Sequence, residues 1–134
     1  MLQLSKKVEY ALIALRHMAM NSHGHVFTAK EIAAKYNISY ELLAKVLQKL
    51  TKSGVVVSLQ GMHGGYTLVK RPDQVQISHI INVIEEEKPT IAECYAEGGE
   101  DCSLFDACTI RKPLEKVQHN LNLLFEKTTL EQII

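Results

Sequence analysis

Residues 28–70, TAKEIAAKYNISYELLAKVLQKLTKSGVVVSLQGMHGGYTLVK, decide the fold. Thr28 with Glu31 three residues later forms a capping box that opens a short helix, Ala29 to Tyr36, and Asn37 stops it. Ser39 caps a longer helix whose apolar positions Leu42, Leu43, Val46, Leu47 and Leu50 share one face, and Gly54 ends it at the C′ position. Two helices joined by about three residues, the second one long, make a helix-turn-helix unit. The β-branched run VVVSL, the tip QGMHGG and the run YTLVK then read as a hairpin, which in this position is a wing. Arg71-Pro72-Asp73 closes the module.

Upstream, Ser5 is a plausible N-cap, and Val8, Leu12, Leu15 and Ala19 recur at helical spacing, so an amphipathic helix should run to about Asn21 before SHGH breaks it. Downstream, Ser78 is expected to cap a helix through Glu87, with Ile80, Ile81 and Ile84 apolar, and Lys88-Pro89 to stop it. Residues 90–109 show no period, contain Gly98-Gly99 and hold all three cysteines of the chain. Pro113 suits a first helical turn, and Leu114, Val117, Leu121, Leu124 and Phe125 then form an apolar stripe to about Lys127. Thr128 with Glu131 is expected to cap a last turn, Leu130 to Ile134. A lone helix beyond a small head has too little surface to cover that stripe, so a second subunit is its natural cover. The expectation is a mainly α protein: a winged helix-turn-helix DNA-binding domain at 1–72, then a cysteine loop and long dimerisation helix at 73–134.

Charge supports that division. The 134-residue chain has zero net charge, yet residues 1–71 carry ten Lys or Arg against three acids, a balance of +7, and residues 72–134 carry five against twelve, a balance of −7. A basic head facing an acidic remainder points to an anion-binding module joined to a segment with another task. On the second helix of the unit, Ser39, Tyr40, Glu41, Lys45, Gln48 and Lys49 are the candidates to meet base edges and phosphates of duplex DNA. At the wing, Gln60 and His63, flanked by Gly61, Gly64 and Gly65, are candidates for the adjoining minor groove or backbone.

Composition excludes several classes. Hydrophobic residues at 46% and charged residues at 22% are ordinary globular usage, and no apolar run approaches the roughly 18 to 20 residues of a membrane span. Charges scattered through the opening residues do not fit a signal peptide, so a cytoplasmic location is expected. No Ser-His-Asp ordering, H-E-x-x-H, phosphate-binding glycine loop or paired-carboxylate signature is present, so the chain does not read as an enzyme.

Cys94, Cys102 and Cys108 have the spacing C-x7-C-x5-C. An odd number of thiols in a reducing compartment favours metal ligation or reactivity over a disulfide framework. Tetrahedral zinc sites usually use C-x2-4-C pairs, and wider spacings suit a loop wrapped around an iron-sulfur cluster. Spacing alone leaves a zinc site, a thiol-disulfide switch and three incidental cysteines open, and a small iron-sulfur electron carrier with no DNA role is a further functional alternative. Three thiolates also leave one coordination position unfilled. Among the histidines, His17 reads as core-edge or exposed, His23 and His25 as exposed loop, His79 as helix surface, and His119 as a reserve ligand on the long helix.

The opening LSKKVEYAL, the run ISYELLAKVLQKLTKSGVV, the wing GMHGGYTL and the three-cysteine loop before a long helix together resemble the Rrf2 family of winged-helix regulators. The resemblance covers nearly the whole chain and is to the cluster-binding branch, of IscR, NsrR and RirA types. It implies a homodimeric DNA-binding transcription regulator, read as a repressor, that senses iron, redox state or nitric oxide. The cysteines would hold a 2Fe-2S or 4Fe-4S cluster near the dimer interface. IscR types place a histidine three residues after the last cysteine, where this chain has Arg111, so that role does not transfer. NsrR types supply an acid from the first helix of the other subunit, and the matching position is Glu9.

Overall fold

The structure is a computed structural model that describes residues 2–21 and 25–134. Helix α1 (Lys6–Met20) starts where Ser5 accepts a hydrogen bond from the Val8 N–H at 3.2 Å, and it buries Val8, Ala11, Ala14, Leu15 and Met18. Helix α2 (Ala29–Tyr36) has the full capping box: the Glu31 N–H donates to Thr28 Oγ1 at 3.0 Å and the Thr28 N–H to Glu31 Oε2 at 3.3 Å. Asn37 takes a left-handed conformation (φ 54°), which turns the chain into helix α3 (Tyr40–Lys52). Helix α3 is capped by Ser39 and buries Leu43, Val46, Leu47 and Leu50, while Leu42 stays half-exposed. Helix α3 packs against both α1 and α2, making a three-helix head.

Strands β1 (Val56–Leu59) and β2 (Gly65–Leu68) pair antiparallel, Val56 opposite Leu68 and Leu59 opposite Gly65. Phe27 adds a bridge on the far edge of β2, exchanging hydrogen bonds with Tyr66 at 2.8 and 2.7 Å. A Cβ at Gly65 would lie 2.6 Å from the Phe27 carbonyl oxygen, so this close approach requires glycine. The bridge roots the wing on the segment leading into α2.

Helix α4 (Ile77–Glu85) buries Ile77, Ile80, Ile81 and Ile84. It begins one residue before the expected Ser78 cap, and its N-cap position is Gln76, with no side-chain cap. The reason is non-local. The Ile77 N–H donates to the Thr128 carbonyl at 2.9 Å and the Leu130 N–H to the Val75 carbonyl at 2.8 Å, so backbone pairing satisfies the helix start. The final turn (Leu130–Ile133) is organised by Thr129 and Gln132, whose Oε1 accepts the Thr129 N–H at 2.8 Å, rather than by Thr128 and Glu131. Leu130 is fully buried, and Arg16 of α1 holds the Ile133 carbonyl at 3.0 Å. Val75, the isoleucines of α4 and Leu130 therefore belong to the same core as α1–α3.

Helix α5 (Arg111–Lys127) is different. Its one buried residue is Gln118, and on the expected apolar stripe Val117 and Leu124 are 50% and 58% exposed. Among the described residues no helix is long and apolar enough to cross a membrane.

Candidate functional site

At about 100° per residue, Glu41, Lys45, Gln48 and Lys52 fall within an arc of about 60° on α3. All four are exposed, opposite the buried Leu43, Val46, Leu47 and Leu50. Tyr40 flanks this face at 54% exposure, and Ser39 is exposed but uses its oxygen to accept the Leu42 N–H. Lys52 was not singled out from sequence, although the same helical count that selects Lys45 and Gln48 includes it. Lys49 departs from the set. Its Nζ donates to the Ile84 carbonyl at 3.0 Å and lies 3.6 Å from Glu86, so it caps the end of α4 instead of presenting a free cation. In the wing, Gln60 and His63 are exposed, with Gln60 Nε2 at 3.5 Å from Ser58 Oγ, and Met62 between them reaches 95% exposure.

The three cysteines, 94 to 108 in sequence, are brought to one place by two short 3-10 turns, Glu93–Tyr95 and Gly99–Asp101. Gly99 permits the fold-back: a Cβ there would lie 2.4 Å from the Cys94 carbonyl oxygen. Cys94, Cys102 and Cys108 are free, half-buried thiols that line a single pocket of about 170 Å³, walled by Leu104, Phe105, Ile110 and Leu114. Arg111 closes one side with its guanidinium 4.0 Å over the Phe105 ring. Tyr95 ties the loop to α5 by donating its hydroxyl to the Arg111 carbonyl. Desolvation, then the neighbouring Cys94 and Glu115, hold the Tyr95 phenol above its ordinary value, so it remains a donor at neutral pH. On the other flank, Gln118 accepts the Ile91 N–H at 2.8 Å and donates to the Pro89 carbonyl at 2.8 Å and to Asn122 at 2.9 Å. A buried glutamine with its amide so matched is a clamp on the segment entering the loop.

Among the described residues no group of three or more His, Cys, Asp or Glu side chains is close enough to hold one metal ion. The thiols line a volume without converging on a point. Soft thiolate donors around an apolar space are a donor set that an iron-sulfur cluster would accept.

Glu9 does not line that pocket. Its carboxylate lies 2.8 Å from Lys6 one turn earlier and is 43% exposed; the hydrogen bond and charge of Glu9 raise the Lys6 amine. His17 Nδ1 lies 2.7 Å from the Tyr36 hydroxyl, with its ring edge-on to Phe27, and burial, then Lys35, lowers its pKa. His25 and His119 are exposed, and His23 lies outside the described residues. His79 is a correction to a surface reading. It is half-buried beside a cleft of about 410 Å³ between α4 and α5, and its Nε2 is buried without a hydrogen-bond partner.

The Rrf2 family, described as an iron-dependent transcriptional regulator, matches residues 4–134. The transcriptional regulator NsrR of Oceanobacillus iheyensis is 32% identical over 133 residues, covering 99% of this chain and 90% of that protein. Among solved structures, CymR, the global cysteine regulator of B. subtilis, superposes with a TM-score of 0.77 at 27% identity, covering 99% of this chain and 96% of that one. T. potens IscR superposes with a TM-score of 0.74 at 25% identity, covering 98% and 85%.

Proposed function

This chain belongs to the Rrf2 family of transcriptional regulators, and we propose that it is a cytoplasmic, homodimeric repressor whose hold on operator DNA is set by an iron-sulfur cluster. One observation supports the sensor above all: three cysteines spread over 15 positions line the same apolar pocket. Cys94, Cys102 and Cys108 would hold the cluster, and the partner subunit's Glu9 would complete the set. Among the described residues, the ion pair that holds the Glu9 carboxylate is with the exposed Lys6; such solvated pairs are weak, so little opposes its release. When bound, the cluster supplies iron sites that react with nitric oxide or oxygen, or that empty when iron is scarce.

The chain's own residues carry that state to the DNA face. Gln118 fixes the path from α4 into the cysteine loop, and Tyr95 fixes the path from the loop into α5. The end of α4 is in turn gripped by Lys49 of α3, the helix whose exposed side carries Lys45, Gln48 and Lys52. Ordering of the loop therefore biases the tilt of α3, and a dimer built through the exposed side of α5 would set the spacing of two such helices across successive major grooves.

Iron and sulfide analysis of anaerobically reconstituted protein, with its visible absorption, tests the reading. We expect a brown protein whose colour and iron are lost in Cys102→Ala. A colourless, iron-free product would overturn it. If that iron-free protein instead formed a disulfide with peroxide and its DNA affinity changed, the chain would be a thiol switch, a reading its likeness to a cysteine regulator keeps in view.

A further inference from the structure

The wing tip is a tight glycine turn with an odd occupant. The Gly64 N–H closes the turn onto the Gly61 carbonyl at 3.0 Å, and Gly61 has φ 108°. A Cβ at Gly64 would lie 2.3 Å from the Leu59 carbonyl oxygen, so the turn folds tightly only with glycine there. The Phe27–Tyr66 hydrogen bonds fix the base of the hairpin. Met62 projects from this scaffold at 95% exposure, the highest among the large apolar side chains that are exposed.

Charge identifies the surface it faces. Of the five Lys or Arg between Glu41 and Asp73, Lys49 lies against Glu86 and Arg71 against Asp73, while Lys45, Lys52 and Lys70 are exposed amines that attract a polyanion. Glycines around Met62 allow a backbone to approach closely, and an unbranched thioether is slender and adaptable enough to enter a gap between stacked bases.

We propose that Met62 is an apolar wedge: the wing enters the minor groove and the methionine inserts between two base pairs, unstacking that step and bending the duplex. Unstacking is easiest at pyrimidine–purine steps, so Met62 selects such a step without any hydrogen bond to a base. A two-fold dimer places two kinks symmetrically about the operator centre. This inference rests on the DNA-binding reading above.

The test uses a duplex enriched from a randomised pool by the anaerobically reconstituted full chain, carrying a donor–acceptor dye pair at its ends. A second version carries 2-aminopurine at each candidate step in turn. Wild type should bring the ends together and raise 2-aminopurine fluorescence at one step per half-site. Met62→Ala should abolish both signals and bind roughly tenfold more weakly, while Met62→Leu keeps them. The side chain touches little of the fold, so both variants should keep the wild-type melting temperature. Met62→Ala bending and unstacking the duplex as wild type does would overturn the wedge while leaving the regulator reading intact. Failure of wild type to enrich any duplex in both its cluster-loaded and its stripped form would remove the DNA-binding reading, and the wedge with it.

Discussion

The head and the cysteine segment are held together by different means. In α1, α3 and α4 helical spacing delivers leucines, isoleucines and valines to a shared, water-free core. Between Glu86 and Thr129 only Gly99 and Gln118 are buried, and the segment is shaped by a glycine contact, one amide clamp and one phenol hydrogen bond. A core is stable whatever binds to it, whereas a loop fixed by a few polar ties leaves its order to whatever its thiols and its uncovered helix engage. That contrast suits the proposed coupling of a sensing loop to a DNA-reading head.

The contrast breaks first in its stability consequences. Leu47→Ala in the head should cost about 2–5 kcal/mol in urea unfolding, because Leu47 is fully buried. Leu124→Ser on α5, at 58% exposure, should change the stability of the isolated subunit by less than about 0.5 kcal/mol, yet raise the dimer dissociation constant in sedimentation equilibrium. Comparable unfolding losses for the two would erase the distinction.

Gly99→Ala sharpens it. The added methyl meets the Cys94 carbonyl, so the thiols lose their common pocket and iron retained after anaerobic reconstitution should fall severalfold, while the head melts as before. Lys49→Met probes the join between the regions. Losing the contact to the end of α4 should narrow the difference in DNA affinity between cluster-loaded and stripped protein by about tenfold or less, with the loaded absorption spectrum unchanged.

The smallest effect concerns pH. Burial lowers the His17 pKa in the folded state, so folding favours the neutral ring. Its contribution is complete above the unfolded value, about 6.5, and is lost as pH falls from there toward the lowered folded value. Melting temperature should therefore decline more steeply between pH 7 and 5 in wild type than in His17→Gln.

What could be read from the sequence tracks how local the cause is. The Thr28–Glu31 box, the Ser39 cap and the Gly54 stop are decided within a few residues of chain, and each appears in the structure as read. The start of α4 shifts by one residue and the last turn, found where expected, takes a different capping pair, because the Ile77 N–H finds its acceptor at Thr128, beyond the reach of any local pattern. A helical count puts Lys49 near the exposed face of α3 but is silent on the α4 terminus that claims its ammonium. Likewise the Gly98-Gly99 pair marked a loop, whereas the need for glycine at 99 emerges only once the chain folds back on Cys94. The three cysteines were legible as a group; the apolar wall of Leu104, Phe105 and Leu114 around them was not, since residues 90–109 have no periodicity to follow.

Fluorescence anisotropy of the enriched duplex, titrated with anaerobic cluster-loaded protein, with the same protein after chelation, and with Cys102→Ala, tests most directly whether the thiol pocket governs the DNA face. The loaded and stripped wild-type forms should differ in dissociation constant by at least about tenfold, a coupling of roughly 1.4 kcal/mol, with Cys102→Ala matching the stripped form. Equal dissociation constants for all three would contradict the account.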